Sequence, residues 1–261
     1  MSNIKLVVTD LDFTALRNDR TVSDYTAEVF SRCRSFGIQT SIATARFFFG
    51  AKPFMEKLQT DYAITNDGTM VYRGQEFWFG TSLGLERTTF LIQELKKADP
   101  SVRLSVSTRN GVFRNFSQVD YLTAPYSQFE VVDFNNSFQE NAYKIVAEPT
   151  DPAPLQAIAQ KADCKLLRYR GENRYTFLLE NTGKLSALRS LAEHLGLSMS
   201  EVAVFGDDQN DLEMIRGCGL GIAVANAIPE VLSAAKDRAR SNEEDGVARY
   251  IEEHFFSRSP D

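Results

Sequence analysis

Histidine is nearly missing from this chain: among 261 residues there are two, His194 and His254. A Ser-His-Asp hydrolase or a histidine-rich zinc centre would have to be assembled from that pair, and both fall late in amphipathic helical stretches. Any catalysis is therefore expected to run on carboxylates. Cysteine is scarce and odd in number, with Cys33, Cys164 and Cys218 and no CxxC spacing. A disulfide framework is excluded, and reduced thiols in a cytoplasmic protein are expected. In that compartment the sequons Asn115-Phe116-Ser117 and Asn135-Asn136-Ser137 are expected to be chance matches. No apolar run is long enough to span a membrane. Lys5 and Asp10 interrupt the first apolar stretch, which leaves no room for a signal-peptide core. Basic residues are outnumbered, 29 against 35 acidic, for a net charge of -6. That is the wrong sign for broad binding along a nucleic-acid backbone, so no nucleic-acid partner is expected.

What is present is an ordinary globular composition, 43% hydrophobic and 25% charged, at a length of one to two domains. Ile4 to Thr9 is a continuous apolar, β-branched run, as suits a strand buried on both faces of a parallel sheet. A helix is expected from Ser23-Asp24 to Gly37, a strand over Gln39 to Ala43, a helix from Phe47 to Leu58 and a strand over Tyr62 to Thr65. Asn66-Asp67-Gly68 then reads as a hairpin turn into Met70-Val71-Tyr72. Strand alternating with helix predicts a doubly wound, mostly parallel α/β sheet.

The rhythm breaks after about residue 82. A helix over Leu85 to Ala98 is followed by a hairpin around Arg109-Asn110-Gly111 and strands near Phe129–Phe134 and Ala142–Ala147. A helix after Pro152 and a last hairpin around Gly171-Glu172-Asn173 complete an α+β module. The α/β pattern then resumes with a helix over Leu185 to Leu195 and a strand over Glu201 to Phe205. Next come a helix over Asn210 to Cys218, a strand over Leu220 to Val224, and helices over Ile228 to Lys236 and Val247 to Phe255. The expected organisation is a core of residues 1–81 and 182–261 with an insert over 82–181. The tail, 257–261, is expected to fray.

Open parallel sheets bind ligands beyond the carboxyl ends of their strands. Four special sequences fall there: Asp10-Leu11-Asp12-Phe13-Thr14, Thr44-Ala45-Arg46, Asn66-Asp67-Gly68 and Gly206-Asp207-Asp208-Gln209-Asn210-Asp211. Clustered carboxylates repel unless a cation sits among them. With only hard oxygen ligands, Mg²⁺ is favoured over zinc. Such a site neutralises a phosphoryl group while a spare carboxylate attacks it. Asp10 and Asp12 are two residues apart, so in an extended chain they face the same way, one as nucleophile and one as general acid. Thr44 offers a hydroxyl beside backbone amides. Lys184 begins a helix, where its charge opposes the dipole but suits an anion. Taken singly, each has a plainer reading: a loop, a helix cap, a solvated charge, a hairpin turn. Their joint appearance in order favours the functional one.

These residues resemble the haloacid dehalogenase superfamily of phosphotransferases over essentially the whole chain. The likeness is greatest to its Cof-type phosphatases, subfamily IIB, which carry a large inserted α+β cap of the C2 type on a Rossmann-like core. The resemblance implies that Asp10 is the nucleophile forming an aspartyl-phosphate, and that Asp12 protonates the leaving group and then activates water. It assigns phosphate or substrate binding to Thr44, Ala45, Arg46, Asn66 and Lys184. It implies Mg²⁺ held by the Asp10 carboxylate, the Asp12 carbonyl and Asp207, with Asn210 and Asp211 alongside. Ala225-Asn226-Ala227 is similar to the family's late Gly-Asn-Ala segment, with a structural role. Phe13 and Ala45 stand where glycines are usual, and Asp67 adds an acid after Asn66. The expected activity is hydrolysis of a small phosphorylated metabolite, a sugar phosphate being one candidate. A sugar phosphomutase and a non-catalytic binding module remain as alternatives. Arg109, Arg114, Arg168, Tyr169, Arg170 and Arg174 of the insert are candidates for substrate contact or plain sheet decoration.

Overall fold

The computed structural model of the chain describes residues 4–118, 129–134, 138–168 and 173–256. The chain divides into two compact units, Met1–Phe79 with Gly183–Asp261, and Gly80–Thr182.

The first unit opens with β1 (Leu6–Thr9), whose four residues are all fully buried, as a run without polar alternation requires. After the Leu11–Ala15 loop comes α1 (Asp24–Cys33), capped by Ser23, whose hydroxyl accepts from the Thr26 amide at 3.0 Å. Gly37, at φ 68°, takes the left-handed turn into β2 (Gln39–Ala43). Then follow α2 (Phe48–Leu58), β3 (Tyr62–Thr65), β4 (Met70–Arg73) and β5 (Glu76–Gly80). β3 and β4 form the expected antiparallel hairpin, with Thr65 opposite Met70.

The second unit holds α3 (Leu85–Ala98), β6 (Arg103–Ser107), β7 (Val112–Arg114), β8 (Glu130–Val131), β9 (Lys144–Glu148), α4 (Leu155–Lys161), β10 (Cys164–Arg168) and β11 (Tyr175–Leu179). Its sheet order is β10-β11-β9-β6-β7-β8, antiparallel except for β7 with β8. Leu91, Ile92 and Leu95 of α3 and Ile158 of α4 share a core with Leu104, Val106, Ile145, Ala147 and Phe177 on one sheet face. The strand expected near Phe129–Phe134 is limited to Glu130–Val131, both exposed, while Val132 and Phe134 beyond it pack on the core of this unit. Residues 169–172, with Tyr169, Arg170 and the Gly171-Glu172 turn, lie outside the described residues. So do the Asn135 sequon and the tail 257–261. Arg114 is buried against the rings of Phe116 and Phe129, its guanidinium carbon 4.5 Å from the latter's centre, which is packing rather than surface decoration.

The first unit resumes with α5 (Lys184–His194), β12 (Val202–Gly206), α6 (Leu212–Gly217), β13 (Leu220–Val224), α7 (Pro229–Ala234), β14 (Asp237–Ala239) and α8 (Gly246–Phe255). Its sheet runs β14-β13-β12-β1-β2-β3-β4-β5, parallel from β14 to β3. α1 packs with α2 and α8, and α6 packs with α5 and α7. β5 and β14 were not expected: each is an edge strand whose pattern is half exposed, too weak a periodic signal to read. β1 lies between β2 and β12, so the chain leaves it to one side first and returns on the other much later. That switch point opens a crevice at the carboxyl end of β1. No helix of the described residues is long and apolar enough to cross a membrane.

Candidate active site

Asp10 follows the last residue of β1, anchored by its amide to the Phe205 carbonyl at 3.0 Å. Its flanks are the ends of β2, which leads to Thr44, and of β12, which leads to Asp207. Residues far apart in sequence therefore meet because parallel strands end at one level. Lys184, the first residue of α5, is buried and reaches Asp10 Oδ1 and Asp211 Oδ1, both at 2.7 Å. Asp211 is fully buried, and its other oxygen accepts from the amides of Asp207 and Asp208 at 3.1 and 3.3 Å. Gly206 makes this possible, since any Cβ there would overlap the Asp211 side chain.

Oxygens of Asp10, Asp207 and Asp211 lie within 4.8 Å of one another, all three residues buried. Three carboxylates against one ammonium leave an excess of negative charge in a poorly solvated place. Its cost is visible in the titration of the group. Burial, with repulsion from Asp211, Asp207 and Asp12 outweighing the pull of Lys184, holds Asp10 well above the ordinary aspartate range. Burial and Asp211 push Asp207 up to about 7, against the Thr14 hydroxyl that donates to its Oδ1 at 2.6 Å. Burial opposes the charge on Lys184, but Asp10 and Asp211 overcome it and raise the ammonium above its usual value. An all-oxygen cluster with unbalanced charge has the donor chemistry of a hard divalent cation such as Mg²⁺.

Asp12 is not one of these three grouped acids, though its charge reaches Asp10. The chain coils directly after Asp10, with the Ala15 amide on the Asp10 carbonyl and the Leu16 amide on that of Leu11. Asp10 and Asp12 both keep extended backbone angles, φ −64°, ψ 163° and φ −67°, ψ 124°, and Phe13 then turns left-handed at φ 60°. The Asp12 carboxylate receives Arg46 Nε at 2.8 Å and Nη2 at 2.5 Å. Arg46 also lies over the Phe54 ring at 4.9 Å. Asn210 is exposed, in contrast to Asp207 and Asp211 on either side of it.

Thr44 is buried, and its hydroxyl accepts from the Arg46 amide at 3.1 Å across Ala45. Its carbonyl accepts from the Asp67 amide at 3.2 Å, and the Arg46 carbonyl from the Asn66 amide at 2.8 Å, so this loop and the β3–β4 turn are laced together. Asn66 and Asp67 are buried in left-handed conformations at φ 53° and 56°. The Asn66 side-chain nitrogen lies 2.9 Å from Met70 Sδ, and its Oδ1 is buried without a hydrogen-bond partner among the described residues. Gly68, at φ 96°, touches the Gly183 carbonyl so closely that no Cβ fits, which seats the residue before Lys184. Thr14, which holds Asp207, has no role assigned from the sequence. Its place in Asp-x-Asp-x-Thr, a hydroxyl four residues after a strand-end acid, was the available signal. The Arg46–Asp12 pair had none, because nothing local reports a contact across 34 positions.

The chain is similar to known proteins over nearly its whole length. A 5-amino-6-(5-phospho-D-ribitylamino)uracil phosphatase of Bacillus subtilis strain 168 is 24% identical over 262 residues, covering 96% of this chain and 97% of its own. A phosphatase of the same description from Escherichia coli strain K12 is 26% identical over 272 residues, covering 99% and 98%. In fold, a haloacid dehalogenase-like hydrolase from Bacteroides thetaiotaomicron superposes with a TM-score of 0.81 at 23% identity, over 96% of this chain and 99% of that one. With the sequence profile of the haloacid dehalogenase-like hydrolases matching residues 7–251, the chain belongs to that family.

Proposed function

We propose that this protein is a Mg²⁺-dependent phosphomonoesterase acting on a small phosphorylated metabolite through an aspartyl-phosphate on Asp10. The observation that carries this reading is the buried Asp10–Lys184–Asp211 array with Asp207 beside it. Asp10, Asp207 and Asp211 would hold the ion, which when bound neutralises charge on the phosphoryl oxygens. A carboxylate oxygen of Asp10 attacks phosphorus, and the bond from phosphorus to the ester oxygen breaks. The leaving oxygen takes a proton from Asp12. Water then attacks the same phosphorus, gives a proton to Asp12, and releases inorganic phosphate while restoring Asp10. Lys184 stabilises the Asp10 carboxylate and the charge gathering on the phosphoryl group, with Thr44, Ala45, Arg46 and Asn66 as its further contacts. Each Asp12 oxygen accepts one bond from Arg46, which orients the carboxyl group and leaves a lone pair on each oxygen for the proton.

The Bacillus and Escherichia relatives are named for a phosphorylated ribitylamino compound, which supports a polyhydroxylated phosphate ester as the substrate class. Selectivity within that class is assigned to the inserted unit, the cap of the family resemblance. The three cysteines are buried and free of disulfides, which supports a cytoplasmic setting.

The test is phosphate release by purified protein from a panel of phosphorylated metabolites and an aryl phosphate, with Mg²⁺ and with chelator. Turnover is expected with Mg²⁺ alone, and Asp10→Asn is expected to abolish it with the fold retained by circular dichroism. A wild-type rate in that variant overturns the nucleophile, and isomer formation without phosphate release establishes a mutase instead.

A further inference from the structure

We infer that the turn after β13, residues 225–228, braces the two acidic loops of the site, with Asn226 as a positioning residue for Asp12. The inference rests on the reading that Asp12 and Asp207 serve phosphoryl transfer.

Phe13 carries the reason a brace is needed. It sits at φ 60°, ψ 6°, a left-handed conformation that residues with a Cβ disfavour. The residue is 50% exposed, so burial of the side chain does not hold it there. A hydrogen bond to its carbonyl does. Asn226 Nδ2 donates to the Phe13 carbonyl at 2.7 Å, one peptide beyond Asp12. Asn226 Oδ1 accepts from the Asn242 amide at 3.0 Å, which fixes the orientation of the side-chain amide. Asn242 in turn is buried and donates to the Leu16 carbonyl at 3.0 Å and to Asn18 Oδ1 at 3.1 Å, further along the same loop. Two residues past Asn226, the Ile228 amide donates to the Asp207 carbonyl at 2.8 Å. The turn thus grips the loop after β1 from one side and the loop after β12 from the other. The Thr14 hydroxyl on Asp207 Oδ1 ties the same loops directly.

Asn226 is itself exposed, so replacing it empties no core and the variants are expected to fold. The informative change is Asn226→Asp, which keeps the oxygen that accepts from Asn242 but sets a carboxylate oxygen against the Phe13 carbonyl. If Asn226 served only the Asn242 segment, that variant would behave as wild type. As a positioning residue it is expected to lose about 10- to 100-fold in kcat, the scale of a small misplacement of a reacting group, with KM little changed. Asn226→Ala is expected to do the same. Phe13→Gly removes the conformational conflict, so the loss caused by Asn226→Ala should be smaller in that background by about fivefold or more.

Hydrogen exchange supplies a readout that needs no substrate. Amides of Phe13 to Leu16 are expected to exchange faster in both Asn226 variants, with those of Val202 to Gly206 unaffected. Wild-type kcat in Asn226→Asp, additive effects of Phe13→Gly and Asn226→Ala, or unaltered exchange at Phe13 to Leu16 overturns the brace. Failure of wild-type protein to hydrolyse any ester with Mg²⁺ overturns the phosphatase reading instead, and the exchange result still decides whether Asn226 holds the loop.

Discussion

Arg46 closes on Asp12 with two nitrogens, at 2.8 and 2.5 Å, and so holds both oxygens of the acid assigned to proton transfer. The pair is partly solvated, with the Asp12 side chain 37% exposed, so it contributes about 1 kcal/mol or less to stability. Its importance is geometric, because a lysine cannot reproduce a two-pronged contact. Arg46→Lys is expected to leave the thermal midpoint within about 2 °C while kcat/KM on an aryl phosphate falls about tenfold. A lysine variant with full activity would dissociate the fork from catalysis.

Lys184 is the cation bonded to the buried acids Asp10 and Asp211, and its loss leaves Asp10, Asp207 and Asp211 facing one another. Lys184→Met is expected to cost about 3–5 kcal/mol in denaturant unfolding without metal. On the proposed metal site, Mg²⁺ should restore part of that stability, because an ion held by the folded cluster and not by the open chain favours folding. In wild-type protein, Mg²⁺ at about 100 times its dissociation constant is expected to stabilise by about 2.7 kcal/mol. Asp211→Asn should sharply reduce that gain. Calorimetry with and without Mg²⁺ checks both.

Gly68 meets the Gly183 carbonyl directly, at a φ of 96°. Gly68→Ala asks the backbone for both a forbidden angle and an overlap, and is expected to destabilise by about 2 kcal/mol or more. Because the displaced partner immediately precedes Lys184, activity should fall in the fraction that remains folded. A variant with wild-type stability and rate would show that the approach is not needed.

Asp99, at the end of α3, offers a stability test away from the site. Its Oδ1 accepts from the amide and hydroxyl of Ser101 and its Oδ2 from those of Thr150, which lowers its pKa to about 2. A carboxylate depressed on folding contributes stability above its unfolded pKa, and that contribution is lost as pH falls through the folded value. The difference in thermal midpoint between wild type and Asp99→Asn should be full at pH 6 and shrink from about pH 4 toward pH 2. A gap independent of pH would exclude ionisation as its source.

How much of this was legible beforehand depends on the range of each interaction. Leu6–Thr9, Gln39–Ala43 and Leu220–Val224 announced themselves as buried strands, because a strand covered on both faces has no polar alternation to obscure it. Ser23 and Gly37 marked the two ends of the first helical segment through local backbone chemistry. The strand-end acids, the late lysine and the threonine could be picked out for the same reason: each stands beside an element whose periodicity is local.

By itself, then, the sequence determined a carboxylate chemistry without histidine, the alternation that demands a parallel sheet, and the set of strand ends where ligands gather. Tertiary structure decided how those residues are shared out. It drew Asp211 to Lys184 across 27 positions and Lys184 to Asp10 across 174, gave Asp12 to Arg46, left Asn210 in solvent, and set Asn226 on the Phe13 carbonyl. Those choices depend on strand order and on loops coiling in three dimensions, and a linear pattern carries neither.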